Sequence, residues 1–179
     1  MKTLFIIPAI FICLISCAQP SVRFYNKGLA LAEKGNYTGA INLFSKALER
    51  DPKMVEAWYN RGLANSRIGN FRAAILDYTK AIQIDPLSAK AYNNRGADKN
   101  EIGNYNGAIE DYTKAIQCDP NYSRAYFNRG NSYYALGKYV EAISDYSKAI
   151  AIDSKYSEAQ FNREVARNKL KEMQGNVDW

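Results

Sequence analysis

The feature that most constrains this chain is a repeat. Aligned on itself at an offset of 34 residues, it divides into four consecutive units without insertions: 21–54, 55–88, 89–122 and 123–156. Gly recurs at 28, 62, 96 and 130, and again at 35, 69, 103 and 137. Ala recurs at 40, 74, 108 and 142 and at 47, 81, 115 and 149. One aromatic row runs Phe44, Tyr78, Tyr112, Tyr146; another runs Tyr37, Phe71, Tyr105, Tyr139. Three units close on Asp-Pro, at Pro52, Pro86 and Pro120, and the fourth carries Ser154 instead. A period of this length belongs to arrays in which one unit cannot bury its apolar face alone and must stack on the next.

Each unit reads as two helices. In the second unit, Val55–Ile68 and Arg72–Ile84 carry apolar residues at helical spacing, separated by Gly69-Asn70. Gly at the end of the first helix suits a left-handed C′ position, and Pro86 stops the second helix. The Gly62 and Ala74 row removes side chains where two helices must approach closely. The segment after Tyr156 starts a fifth first helix, Phe161-Asn162-Arg163 repeating Phe127-Asn128-Arg129, with Glu164 in place of Gly and no second helix after it. It is expected to be a polar cap, with Gln174–Trp179 as a tail.

The pattern Trp58-x3-Gly62, Phe71-x2-Ala74, Tyr78-x2-Ala81, Pro86 resembles the tetratricopeptide repeat (TPR), and the other units match with small departures. The resemblance implies an all-α, right-handed solenoid of four helix-turn-helix repeats plus a C-terminal capping helix, with helix and tail together over 157–179. One departure is that Asn65 and Lys99 stand where the family prefers an aromatic such as Tyr133, so looser packing is expected there. The resemblance also places the first helix of each unit on an inner groove that binds a protein or peptide partner. An uninterrupted row lies there: Asn26, Asn60, Asn94, Asn128 and Asn162. An amide has both donor and acceptor and can bracket a peptide bond, as in the asparagine ladders of some TPR superhelices. The alternative is that Asn is a habit of the repeat. Tyr25 and Tyr59 crowd one half of the groove, while Lys90, Arg124, Asn131 and Tyr134 make the other polar and basic, suited to an acidic or carboxylate-ending segment. A second row, Lys27, Arg61, Arg95, Arg129 and Arg163, is matched by Asp77, Asp111 and Asp145 and is expected to pair with them rather than form a basic stripe.

The N-terminus carries an address. Lys2 precedes an apolar run from Leu4 to Ile15 that is too short to span a bilayer and is interrupted by Pro8. Leu14-Ile15-Ser16-Cys17 resembles the bacterial lipobox. That resemblance implies a lipoprotein signal peptide over 1–16, a lipidated Cys17 and a short tether to residue 20. With no Asp at position 18, it also implies the outer membrane facing the periplasm in a Gram-negative cell, and otherwise the outer face of the cell membrane.

With 24 Lys and Arg against 18 Asp and Glu, the chain has a formal charge of +6. An exported protein rarely meets nucleic acid, so a nucleic-acid partner is not expected. The absence of His excludes imidazole catalysis and His-ligated metal, and three Cys cannot build a four-cysteine zinc site. There is no phosphate loop and no nucleophile beside a base, so no catalytic residue, cofactor, metal or enzymatic activity is expected. Cys118 is expected to be a small buried hydrophobe. The chain thus reads as a membrane-anchored scaffold or adaptor holding an envelope partner. The alternative is a self-associating structural component, such as a secretion or pilus assembly factor.

Overall fold

The computed structural model describes residues 19–175; the expected signal peptide, Cys17 and Trp179 lie outside the described residues. Nine helices make up the described residues. They are α1 (Pro20–Glu33), α2 (Tyr37–Arg50), α3 (Val55–Arg67), α4 (Phe71–Ile84), α5 (Ala89–Glu101), α6 (Tyr105–Cys118), α7 (Ser123–Ala135), α8 (Tyr139–Ile152) and α9 (Ser157–Gly175). Each packs against its sequence neighbours, and α1, α3, α5 and α7 also approach one another in succession. The odd-numbered helices therefore line the inner side of an all-α solenoid and the even-numbered helices its outer side.

The glycine rows account for both turns and packing. Gly35, Gly69, Gly103 and Gly137 adopt φ between 72° and 78°, the left-handed conformation that a Cβ disfavours. At Gly69, the amide of Asn70 donates to Asn65 O at 2.9 Å and that of Gly69 to Ser66 O at 3.0 Å, the paired bonds of a Schellman stop. The other three turns repeat them. The second row sits under aromatic rings: a Cβ on Gly62 would lie 2.9 Å from the Tyr78 ring, and one on Gly96 2.8 Å from Tyr112. Glycine is therefore required for the inner helix to rest on the outer helix's ring. Both Ala rows are fully buried where helices cross.

Two expectations need correction. Asn65 and Lys99 are not loosely packed. Asn65 is 6% exposed and its Nδ2 donates to Asp77 Oδ2 at 3.0 Å, while Lys99 Nζ lies 2.9 Å from Asp111 Oδ2. A polar side chain replaces the aromatic because an acid on the adjacent outer helix stands within its reach. Cys118 is half-buried, with Sγ 3.9 Å from Pro86 O at the end of α6, rather than in the core. At the C-terminus, α9 packs on α8 and buries Ala159 and Ala166. With no tenth helix to stack on it among the described residues, Glu164 stays exposed where an inner helix would need Gly.

Candidate functional site, the inner face

The inner face is built over a polar frame. Arg61, Arg95 and Arg129 reach from the inner helices to Asp77, Asp111 and Asp145 at 2.6–3.2 Å through Nε and Nη2. Their Nη1 atoms donate to Ser45, Thr79 and Thr113 on the preceding outer helix at 3.0 Å. Each guanidinium thus joins two units, and its planar fork suits a carboxylate plus a hydroxyl. The expected pairing is what the row does. Lys27 is exposed, because Leu43 stands where an acid would be, and among the described residues Arg163 pairs with neighbouring Glu164.

The Asn row crosses the same seams. Asn60 Nδ2 donates to Tyr25 Oη at 3.0 Å and Asn94 Nδ2 to Tyr59 Oη at 2.9 Å. Asn128 Nδ2 donates to Asn93 Oδ1 at 3.0 Å, because Asn93 replaces the tyrosine there. Phe127 has no hydroxyl, so Asn162 turns to Asn131 Oδ1 at 3.0 Å, which Tyr146 also reaches at 2.8 Å. Asn60 gives a second bond to Glu56 O at 2.8 Å, so both its N–H groups are engaged. At Asn94, Asn128 and Asn162 one N–H is engaged, and Asn94 Oδ1 also accepts from Asn93 Nδ2 at 3.2 Å. Asn26, in the first unit, is exposed. The row therefore fastens units together and keeps part of its hydrogen-bonding capacity.

Recesses open at three seams of this face. One of about 270 Å³ between α1 and α3 is lined by Leu29, Tyr37, Asn60 and Leu63. A second of about 270 Å³ between α3 and α5 is lined by Leu63, Ser66, Arg67, Tyr78, Asn94 and Asp98. A third of about 280 Å³ between α7 and α9 is lined by Asn131, Tyr134, Tyr146, Phe161 and Asn162. Three of the expected groove residues, Asn131, Tyr134 and Asn162, thus meet at one recess, with Phe161 exposed beside them. Lys90 and Arg124 are exposed at the first turns of α5 and α7, away from these recesses. The charge of Arg124 acts on Tyr59, Tyr122 and Tyr156 and partly offsets the upward push of burial on their hydroxyls.

The sequence rows passed over one member of the second recess. Asp98 stands where the other units carry Ala30, Ala64, Ser132 and Ala166, and a carboxylate in a row of small residues is a visible signal. Burial pushes its carboxyl up to about 6, against a bond from Ser66 Oγ at 2.7 Å and with help from the Glu101 charge. Tyr78, beside it, has a hydroxyl raised by burial and by Asp98.

Comparison with known proteins agrees with this architecture. Profiles described as Tetratricopeptide repeat match residues 25–97 and 123–156, and one described as TPR repeat matches 99–137. No curated protein sequence matches the chain. Among solved structures, a crystal structure of MamA protein is 26% identical, with a TM-score of 0.75 over 90% of this chain and 97% of that one. The first TPR of Spaghetti (RPAP3), bound to the HSP90 peptide SRMEEVD, is 27% identical, with a TM-score of 0.64 over 66% of this chain and 94% of that one. MamA 41-end from Desulfovibrio magneticus RS-1 shares the fold at 17% identity, with a TM-score of 0.75 over 89% of this chain and 98% of that one. The period, the glycine turns, the ring-under-glycine packing and these matches agree: the chain belongs to the tetratricopeptide repeat family.

Proposed function

We propose that this chain is a membrane-anchored protein-interaction scaffold that holds an extended segment of an envelope partner along its inner face. The observation that carries this is the set of recesses at three of the four inner seams, α1–α3, α3–α5 and α7–α9, with amides beside them that keep unengaged hydrogen-bonding groups. A segment running across the inner helices meets the first two recesses, then the Asn128 amide at the α5–α7 seam, then the third recess. The similar RPAP3 domain, whose structure holds a peptide, supports the use of such a groove for extended chain. At about 1 kcal/mol per hydrogen-bonding contact, four or five amide contacts alone give only about millimolar affinity. Selectivity therefore belongs to the recesses.

Anchoring rests on the lipobox-like Leu14-Ile15-Ser16-Cys17. Two or more acyl chains on Cys17 hold a protein on a bilayer where one does not. Since α1 begins at Pro20, the tether is about 10 Å long and keeps the first unit at the headgroups. That unit carries the largest excess of Lys and Arg, which anionic lipid favours. The scaffold's contribution is then local concentration of its partner at the membrane.

Affinity capture from detergent-solubilised membranes tests both parts. The wild type should retain a partner that Asn94→Ala plus Asn128→Ala loses, and Cys17→Ser should move the chain out of the membrane fraction. A partner retained equally by the double variant contradicts the groove; Cys17→Ser protein still in the membrane contradicts the anchor.

Self-association is the second reading. It is favoured by an outer groove of about 560 Å³ between α2 and α4, lined by Ile41, Trp58, Ala73 and Leu76, with Leu76 68% exposed. Concentration-dependent sedimentation abolished by Leu76→Ser would establish it, and monomeric sedimentation at every concentration would remove it.

A further inference from the structure

Four carboxylates are buried among the described residues: Asp77, Asp98, Asp111 and Asp145. Three of them are held by Arg61, Arg95 and Arg129 within 2.7 Å. Asp98 has no cation within ion-pair distance, although it is only 2% exposed. Its Oδ1 accepts from Ser66 Oγ, and its Oδ2 has no partner among the described residues. The hydroxyl of Tyr78, fully buried at the same recess, is likewise without a partner. A buried ionised carboxylate is costly unless it is paired, and the two residues that carry these orphaned atoms line the α3–α5 recess.

We propose that the recess between α3 and α5 is a receptor for a primary ammonium group, with Asp98 as its counter-ion and Tyr78 and Asn94 as neutral acceptors. An ammonium has three donors on a compact centre. Three residues lining the recess carry oxygen acceptors to match: Asp98 Oδ2, Tyr78 Oη and Asn94 Oδ1, the last already accepting from Asn93 at 3.2 Å with one lone pair left. The local field has the right sign. Glu101 on α5 acts on Asp98, the Tyr78 and Tyr112 hydroxyls face it from α4 and α6, and the third unit is the one repeat with more Asp and Glu than Lys and Arg. Arg67 lines the mouth from α3 but does not reach the carboxylate. On a chain of overall charge +6, this recess selects a cation. The proposal rests on the inner groove as a peptide site and names what one position of that peptide carries: a lysine side chain. It runs opposite to the acidic ligand that Lys90 and Arg124 suggested for this half of the groove.

The test uses n-butylammonium as the probe for the lysine side chain, and the titration of the Asp98 carboxyl by carbon NMR of the labelled full chain as the readout. Saturating n-butylammonium should lower the Asp98 midpoint by about one pH unit, while n-butanol, or sodium chloride at equal ionic strength, should not. Arg67→Ala should strengthen the effect, since a competing positive charge leaves the mouth. An Asp98 midpoint moved equally by sodium chloride, or unmoved by n-butylammonium, overturns the proposal. A lysine-containing peptide should bind Asp98→Asn about tenfold more weakly than wild type, a difference of one buried charge-assisted contact, and its Nε-acetylated form should not discriminate. Equal affinity of the lysine peptide for both proteins overturns the recess while leaving the groove standing. An n-butylammonium shift with no peptide bound anywhere on the inner face does the reverse.

Discussion

The outer helices of the second and third units are almost one helix used twice. Asp-Tyr-Thr-Lys-Ala-Ile at 77–82 recurs at 111–116, and α8 repeats it with a single Thr-to-Ser change. Their inner helices differ where it matters. In α3, the Tyr59 ring packs tilted against that of Tyr78 with centroids 5.7 Å apart, and Ala64 fills the small-residue position. In α5, Asn93 and Asp98 replace that tyrosine and that alanine, and Lys99 joins Arg95 on Asp111. The outer helix supplies a fixed ring for the glycine and a fixed acid for the arginine. The inner helix is then free to change its groove-facing chemistry without altering the stack. The repeated helix carries the structure, and in the proposed scaffold the variable one would carry selectivity.

The contrast is sharpest between two acids of the third unit. Asp111, on the outer helix, is held by both Arg95 and Lys99; Asp111→Ala leaves two partly buried cations without their partner and should cost about 3–5 kcal/mol in urea unfolding. A loss under about 1 kcal/mol would mean the frame does not hold the units. Gly96→Val tests the other half of the frame. Its Cβ would meet the Tyr112 ring, and overpacking of this kind should cost about 1–3 kcal/mol, read as a lower thermal midpoint. An unchanged midpoint would show that the ring can retreat.

Asp98→Asn should have the opposite sign. In the fold its carboxyl titrates near 6 instead of the usual 3.8, so the folded chain binds that proton more tightly than the unfolded chain does. The cost of ionisation is absent below about pH 4, grows between 4 and 6, and is complete above 6. The variant should therefore be more stable than wild type by about 1–2 kcal/mol at pH 7.5 and equal to it at pH 4. A destabilised variant at pH 7.5 would make Asp98 part of the frame. The smallest effect is expected at Leu76, exposed on the outer side, where Leu76→Ser should change stability by less than about 0.5 kcal/mol.

What the sequence made legible follows the same division. The helices, their glycine stops and the Arg–Asp pairs repeat every 34 residues, and repetition makes a structural requirement visible. The roles of Asn65 and Lys99 were hidden because the repeat pattern records which residue is usual, not which acid lies within reach of a substitute. The Asn row was found, but its attachment to Tyr25, Tyr59 and Asn93 across the seam depends on how tightly the inner helices close. Asp98 shows only as the odd member of the row Ala30, Ala64, Ser132 and Ala166, where a pattern of usual residues gives it no role. That Ser66, 32 residues earlier, satisfies only one of its oxygens is a fact of three-dimensional placement.

In the proposed scaffold the inner, variable helices meet the partner and the outer, repeated helices do not. Photo-crosslinking in intact cells tests it directly, with benzoylphenylalanine placed singly at Ala97 on the inner face and at Leu76 on the outer face. The prediction is a discrete adduct from position 97 that disappears with Asn94→Ala plus Asn128→Ala, and none from position 76. An adduct from position 76 with none from position 97 would contradict the account and move binding to the outer helices.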